Sequence, residues 1–429
     1  MTAKRRRLEP LKGFAGQVSW SLGARILAAG LQLAVIILLA RGLPPSRFAV
    51  VSTVNVILLM ITAINGFGLI RQIQYRRSID RDDPTLPALY ATRLRYAHAS
   101  ALGWVAAMVA LWAITGNDIY PALLPAAIWL LTEQITQTWN GISIVDGRAH
   151  ELVSSYVARR TPVVVVLAIA LIADLDIVWS WTIGLALGGI LAFAQAVRRQ
   201  EPWARHLLPP RRQPGQHVSH DFGYWLSQVG DQLRDFDVPA LAIVDIHAAG
   251  IYALPARLLR PMNMIAAATA QIAFPELSRR PQVSRRQLIG GVLAGSLPSI
   301  VVALVLLALA GFLPVLVGDE YQASVPIMRI LCLCAALWAP CTLLLTYLQS
   351  RSDDATNMLG VVVVVLSGVQ ILAVCIGGIA DGATGAAIGS TLIQAVILAT
   401  LSLMALAQTT GGGLRRPRAI AAGRRSDAR

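Results

Sequence analysis

The sequence predicts an all-α integral membrane protein with about twelve transmembrane helices in two six-helix lobes. Three observations carry this. Of 429 residues, 55% are hydrophobic and only 14% charged, where a soluble domain carries about 25% charged residues. Apolar runs long enough to span a bilayer recur along the whole chain. The segments between those runs alternate between basic and acidic.

The runs give spans at 14–40, 46–70, 89–115, 119–143, 152–173, 178–197, 220–244, 248–274, 288–316, 321–349, 356–379 and 383–407. The basic start, Met1 to Lys12, leads into an apolar stretch without a small-residue cleavage site, so it reads as a retained first span. A loop at 198–219 containing Pro202, Pro209, Pro210 and Pro214 divides the spans six and six. The expected organisation is an N-terminal segment 1–13, a first lobe 14–197, a linker 198–219, a second lobe 220–407 and a basic tail 408–429.

The net charge is +14, from 37 Lys and Arg against 23 Asp and Glu. Thirty of the 37 bases fall in the start, the tail and alternate loops, and the opposite loops hold only Arg41 and Arg47 with Asp118, Asp174, Asp176, Asp245, Asp319, Glu320 and Asp381. The positive-inside rule then puts both termini in the cytoplasm. The basic excess reads as topology and contact with anionic membrane lipids, not as a nucleic-acid surface, because the bases are scattered over many segments. All bases but Lys4 and Lys12 are Arg, a bias typical of a GC-rich bacterial genome and so of a bacterial cytoplasmic membrane. The four cysteines lie in apolar stretches and suggest neither disulfides nor zinc.

The two halves carry a weak internal repeat. Ala40-Arg41-Gly42-Leu43-Pro44-Pro45-Ser46-Arg47-Phe48 and Asp245-Ile246-His247-Ala248-Ala249-Gly250-Ile251-Tyr252 are both short loops that re-enter at an aromatic residue. Paired lobes with a site near the midplane are a transporter arrangement.

Ionisable and amide side chains inside spans are costly and usually face a cavity or a partner. They form helical stripes: Ser21, Arg25 and Gln32; Asn55, Thr62 and Asn65; Glu133, Gln137 and Asn140; Ser227, Asp231, Arg234 and Asp235; and Arg257, Arg260 and Gln271, with Asn263 beside them. Arg25, Arg257 and Arg260 have no carboxylate within four residues on their own helices, so they need a partner from elsewhere, water or an anionic ligand. The candidate binding set is Arg25, Arg257, Arg260, Asn55 and Gln32. Glu133, Asp231 and Asp235 are candidate ion-coupling groups. Glu133 also fits a packing role, and Arg234 fits a neutralising partner for Asp231. The planar guanidinium fork suits a diphosphate, since it stays charged when desolvated and offers paired donors. Pro239 and Pro255 flank the turn between spans seven and eight and are candidate hinges.

No GxSxG, Walker loop or HExxH occurs, and the two DxD strings, Asp174–Asp176 and Asp235–Asp237, lack an aqueous domain around them. Neither an enzyme nor a cofactor is expected.

The stretch from Val18-Ser19-Trp20 to Phe48, with Gly68-Leu69 after span two, resembles the opening of Wzx-type polysaccharide-biosynthesis flippases of the multidrug/oligosaccharidyl-lipid/polysaccharide (MOP) superfamily. The second half is similar in its span-seven Asp235 or Asp237, Gly250-x-Tyr252, Ala256-Arg257-Leu258 and Pro275. Ala49 stands where that group commonly has Gly. The resemblance implies a MATE-like, two-lobed fold that flips an undecaprenyl-diphosphate-linked oligosaccharide to the outer leaflet by rocking of the lobes. It implies a glycan polymerase and export machinery as further partners. In the related lipid II flippases, arginines on spans one and eight line the cavity, and Arg25 and Arg257 or Arg260 fall on the matching spans. The competing expectations are a cation-coupled drug or metabolite antiporter relying on Glu133 and Asp231, and a membrane glycan polymerase or ligase. The latter needs a large catalytic outside loop.

Overall fold

A computed structural model describes residues 9–148, 150–199, 222–262, 266, 270, 283–349 and 353–410. Most of the predicted linker 198–219, of the N-terminal segment 1–13 and of the tail 408–429 lies outside the described residues, as do Asn263, Gln271, Pro275 and the side chains of Ser21, Ser227 and Asp231.

The described residues are helical throughout. The first half contains α1 (Glu9–Gly42), α2 (Pro45–Ile64), α3 (Leu69–Ile79), α4 (Leu86–Thr115), α5 (Ile119–Ala122), α6 (Ala126–Val145), α7 (Glu151–Ile172) and α8 (Ile177–Arg199). The second contains α9 (Phe222–Leu233), α10 (Asp237–Val244), α11 (Ile246–Leu259), α12 (Arg285–Leu309), α13 (Leu313–Val317), α14 (Ser324–Gln349) and α15 (Asp353–Thr410). The last is two antiparallel arms, folded back where Asp381 and Gly382 leave helical geometry. Gly382 has φ +53°, a conformation open to glycine without a Cβ clash.

Eight helical stretches are long and apolar enough to cross a membrane, the longest being the 51 residues of the folded-back pair. The protein is a multi-pass membrane protein. Counting both arms of α15, those stretches account for nine of the twelve predicted spans. Of the other three, α6 carries a polar stripe that lowers its hydropathy, whereas α9–α10 is broken by a 3-10 turn and the described part of α11 is only 14 residues long. The outer faces of α4, α12 and α15 expose Leu102, Ile114, Leu293, Leu304, Ile376 and Leu392. In lipid such side chains are solvated, and helix association rests on packing and small residues.

Local sequence sets the breaks. Pro45 occupies the first turn of α2, where its missing N–H costs nothing. Asp245 caps α11 by accepting from the amides of His247 and Ala248 at 2.8 and 3.1 Å, and Ser284 and Gln287 form a capping box at α12. Span seven is broken by a 3-10 turn, Arg234–Phe236. Pro239 cannot donate to the carbonyl of Asp235, and the ladder tightens just before it.

Packing partners recur between the halves. In the first, α1 packs on α7, α4 on α6, α6 on α8, and α7 on α8. In the second, α9 packs on α15, α12 on α14, and α14 on α15. The two arms of α15 approach so closely that a Cβ on Gly377 would overlap the carbonyl of Gly385. The halves meet where α2 packs on α9, α10 and α11, and α1 on α11 and α13.

At the face carrying the Leu43–Pro45 turn, called here the hairpin face, this junction is tight. A Cβ on Gly250 would overlap the carbonyl of Pro45. Arg41 Nε donates to Leu316 O at 2.6 Å, Tyr321 OH donates to Leu43 O at 2.9 Å, and Phe48 meets the Tyr321 ring edge-on. At the opposite, basic face, Trp225 stacks on Phe67 and donates to Ile64 O at 2.8 Å.

Four bases assigned to loops from the sequence, Arg93, Arg95, Arg159 and Arg160, lie two turns or more inside α4 and α7. Arg93 is fully buried, and its Nε donates to Gln134 O and Thr138 Oγ1 at 3.2 and 2.7 Å. The expected spans 89–115 and 152–173 already include these positions, so the basic loops there are shorter than the charge count assumed.

Candidate functional site

The antiparallel pairing of α10 with α11 about Asp245 brings the acidic residues of span seven against the bases of span eight. Asp235 pairs with Arg260 Nη2. One turn further, Asp237 accepts from Tyr252 OH at 2.7 Å and from its neighbour Val238 N at 2.7 Å. Arg257, buried on α11, lies within the field of Asp237 and reaches across to α2, where Nη2 donates to Ser52 O at 3.5 Å. Asn55, half-buried, is one turn along α2 from that carbonyl.

The first half supplies a matching set. Glu133 on α6 accepts from Arg159 Nη1 at 2.5 Å and from Gln137 Nε2 at 2.9 Å. The Arg159 guanidinium also lies over the Tyr156 ring, 4.8 Å from its centre. Arg160 points the other way, donating to Gln32 on α1. Arg25, half-buried on α1, lies two turns before Gln32 on the same face.

Of the predicted residues, Asp235, Arg260 and Arg257 gather about α11, with Asn55 beside them on α2, and Gln32 lies with Arg160 where α1 packs on α7. Asp235 pairs with Arg260 on the next helix, and the expected pairing of Arg234 with Asp231 involves a side chain outside the described residues. Glu133 pairs with Arg159. Sequence reasoning missed Arg159 and Arg160 as part of the site. Their signal was Glu133 itself, since a carboxylate inside a span calls for a cation on an adjacent helix.

Chemically, the cluster is an excess of guanidinium groups in a low-dielectric junction between the halves. Among the described residues, Glu133, Asp235 and Asp237 are each engaged by a donor. Such a site favours an anion that can accept several hydrogen bonds at once.

No protein-family model and no curated protein sequence matches the chain. Solved structures do. A multidrug resistance MATE family transporter of the MOP superfamily, in an inward-facing conformation, superposes with a TM-score of 0.65 at 15% identity, over 91% of this chain and 98% of its own. The lipid II flippase MurJ, inward closed, gives 0.64 at 11% identity, over 90% and 86%. A MOP superfamily transporter from Pyrococcus furiosus, whose reverse polarity of the binding pocket suggests a different function, gives 0.59 at 13%, over 92% and 95%. The chain has the fold of the MOP superfamily transporters.

Proposed function

We propose that this protein is a transporter in the cytoplasmic membrane that moves a lipid-linked oligosaccharide, held by its diphosphate, across the bilayer. The observation that carries this is Arg257, buried on α11 and reaching across to Ser52 O on α2, with Arg260 one turn on, while Arg160 holds Gln32 on α1 of the other half. The fold supports alternating access, in which a junction closed at the hairpin face opens as the two halves rock as lobes. The 30 of 37 bases assigned from sequence to the start, tail and alternate loops support cytoplasmic termini, even with Arg93, Arg95, Arg159 and Arg160 moved into helices. On this reading the partners are the lipid-linked glycan, anionic membrane lipids, and the polymerase and export machinery that take up the delivered glycan.

A cation-coupled drug antiporter on the same fold is the second reading. It needs carboxylates free to bind a cation. Glu133 and Asp235 are both ion-paired to arginines, which favours the anionic cargo. The test compares wild type with Arg257→Lys and Arg257→Ala in reconstituted membranes. Binding of an undecaprenyl-diphosphate oligosaccharide is measured alongside thermal stability. Lys keeps the charge but not the fork, so it should weaken binding, and Ala should weaken it further. If both variants bind normally and lose only stability, the ligand role is wrong and the arginine is a brace between the halves.

A further inference from the structure

The hairpin face carries a cavity that stands apart from the junction just described. It lies between the α1–α2 turn and the α7–α8 turn and holds about 330 Å³, room for on the order of ten water molecules. Arg41 and Arg47 line it from the first turn, Asp174 and Asp176 from the second. Its floor is apolar, with Leu43, Ala170 and Ile177 buried beneath the four charges. All four are exposed, and none forms an ion pair among the described residues. Arg41 uses only Nε at the seam between the halves, donating to Leu316 O at 2.6 Å, so both terminal nitrogens of its fork face other acceptors. Asp174 stands at φ +52°, in the left-handed position that closes α7, with the Leu175 amide reaching back to Ala170 O at 2.9 Å. Glycine is the usual residue there; here the position puts a carboxylate on the cavity wall. Beside the same turn, Ile169 and Ile172 on α7 and Trp179 and Ile183 on α8 are exposed. These are strips that lipid covers, with a Trp near their end as at a membrane interface.

We propose that this cavity is a binding site for a phosphoethanolamine headgroup, that of phosphatidylethanolamine, with its phosphate on Arg41 and Arg47 and its ammonium on Asp174 and Asp176. The site does not rest on the cargo reading. Its charge pattern is that of a zwitterion's complement. A guanidinium fork offers paired donors to phosphate oxygens. A primary ammonium brings three N–H donors to carboxylates, whereas the trimethylammonium of phosphatidylcholine brings none. Phosphatidylglycerol would satisfy the arginines but leave both carboxylates without a cation. The exposed strips of α7 and α8 give the acyl chains an apolar path away from the cavity.

The test uses the full chain in detergent and native mass spectrometry, with phosphatidylethanolamine, phosphatidylcholine and phosphatidylglycerol of one acyl composition offered together. Wild type should retain phosphatidylethanolamine about fivefold over each of the others, the scale of one exposed ion pair. Asp174→Asn suits the same left-handed backbone, and it should abolish the preference over phosphatidylglycerol. Arg47→Gln should weaken retention of both phosphatidylethanolamine and phosphatidylglycerol by about fivefold. Opposite changes in phosphatidylglycerol retention between the two variants cannot come from misfolding. Free phosphoethanolamine is the second arm. If it fails to displace the bound lipid at equal concentration, the site takes the lipid; if it binds as tightly, the ligand is the free phosphoester and the lipid site is overturned. If wild type retains the three lipids alike, Asp174→Asn keeps the wild-type selectivity, or Arg47→Gln keeps the wild-type retention, the headgroup site is wrong.

Discussion

Asp146, just beyond the end of α6 on the basic face, gives the sharpest stability prediction. Its Oδ1 and Oδ2 accept from Nε and Nη2 of Arg77 at 3.1 and 2.9 Å, a bidentate pair with both side chains only 2% exposed. Arg148 adds a third bond at 3.1 Å, and Arg81 approaches to 3.6 Å. The pair joins α3 to α6 inside the first half. Replacing Asp146 with Asn leaves Arg77 buried and uncompensated beside two more arginines. Breaking a buried pair from one side costs about 3–5 kcal/mol. Because Arg81 is 65% and Arg148 33% exposed, water softens their repulsion, so the lower end, about 3 kcal/mol, is expected. Arg81→Ala removes only an exposed contact and should cost less than about 1 kcal/mol. Equilibrium unfolding of detergent-solubilised protein measures both. A loss under about 1 kcal/mol for Asp146→Asn would refute the idea that this pair anchors α3.

The same group sets a pH dependence. Burial on its own would raise the Asp146 pKa, but the hydrogen bonds and charge of Arg77, with help from Arg81 and Arg148, hold it below the ordinary 3.8. A depressed carboxyl stabilises the fold above its unfolded-state pKa and loses that contribution as pH falls through the folded-state value. The difference between wild type and Asp146→Asn should therefore be constant at neutral pH and shrink only on strong acidification.

Three further predictions bear on the fold and the site. Gly250→Ala puts a methyl into the carbonyl of Pro45 and should cost about 1–3 kcal/mol, and a melting temperature equal to wild type would show that the halves do not close there. Glu133→Gln strands Arg159 and should lower stability by about 3 kcal/mol while binding of the undecaprenyl-diphosphate oligosaccharide survives in the folded fraction. Loss of that binding at unchanged stability would move Glu133 into the cargo site. Cysteines at Asp82 and Asn117 flank α4, whose 30 residues span about 45 Å. They should react with an impermeant maleimide from opposite sides, Asp82→Cys from the cytoplasm, and labelling of both from one side would break the layout.

The order of the membrane-length helices was readable in the sequence, because a lipid-facing helix must be apolar along its length. Observed helices such as α7 and α8 begin and end within two residues of their expected bounds. Registers between helices were not readable. Arg260 finds Asp235, 25 residues back, only through the hairpin about Asp245. No periodicity within one helix encodes that distance. The depth of the bases near the basic face was also hidden, since a charge count assigns them to loops until the packing shows Arg93 and Arg160 deep within α4 and α7. Span two is the converse case: its apolar run continued to 70, but the chain turns at Asn65–Gly68, where Gly68 takes φ +71°, and α3 leaves as a separate basic helix.

The four side-chain bonds described between the halves share a property. Arg41, Trp225, Arg257 and Tyr321 all donate to main-chain carbonyls, those of Leu316, Ile64, Ser52 and Leu43. An interface written in this way addresses the partner's backbone and is indifferent to what the acceptor residue is. Mutational cost is therefore one-sided: the donors are constrained, and the exposed acceptors Ile64 and Leu316 are free to change as long as their helices keep their path. When the halves separate, each exposed carbonyl can turn to water without leaving a stranded charge behind. Such a seam can be opened and closed repeatedly at low cost, and its sequence can drift widely while its geometry persists.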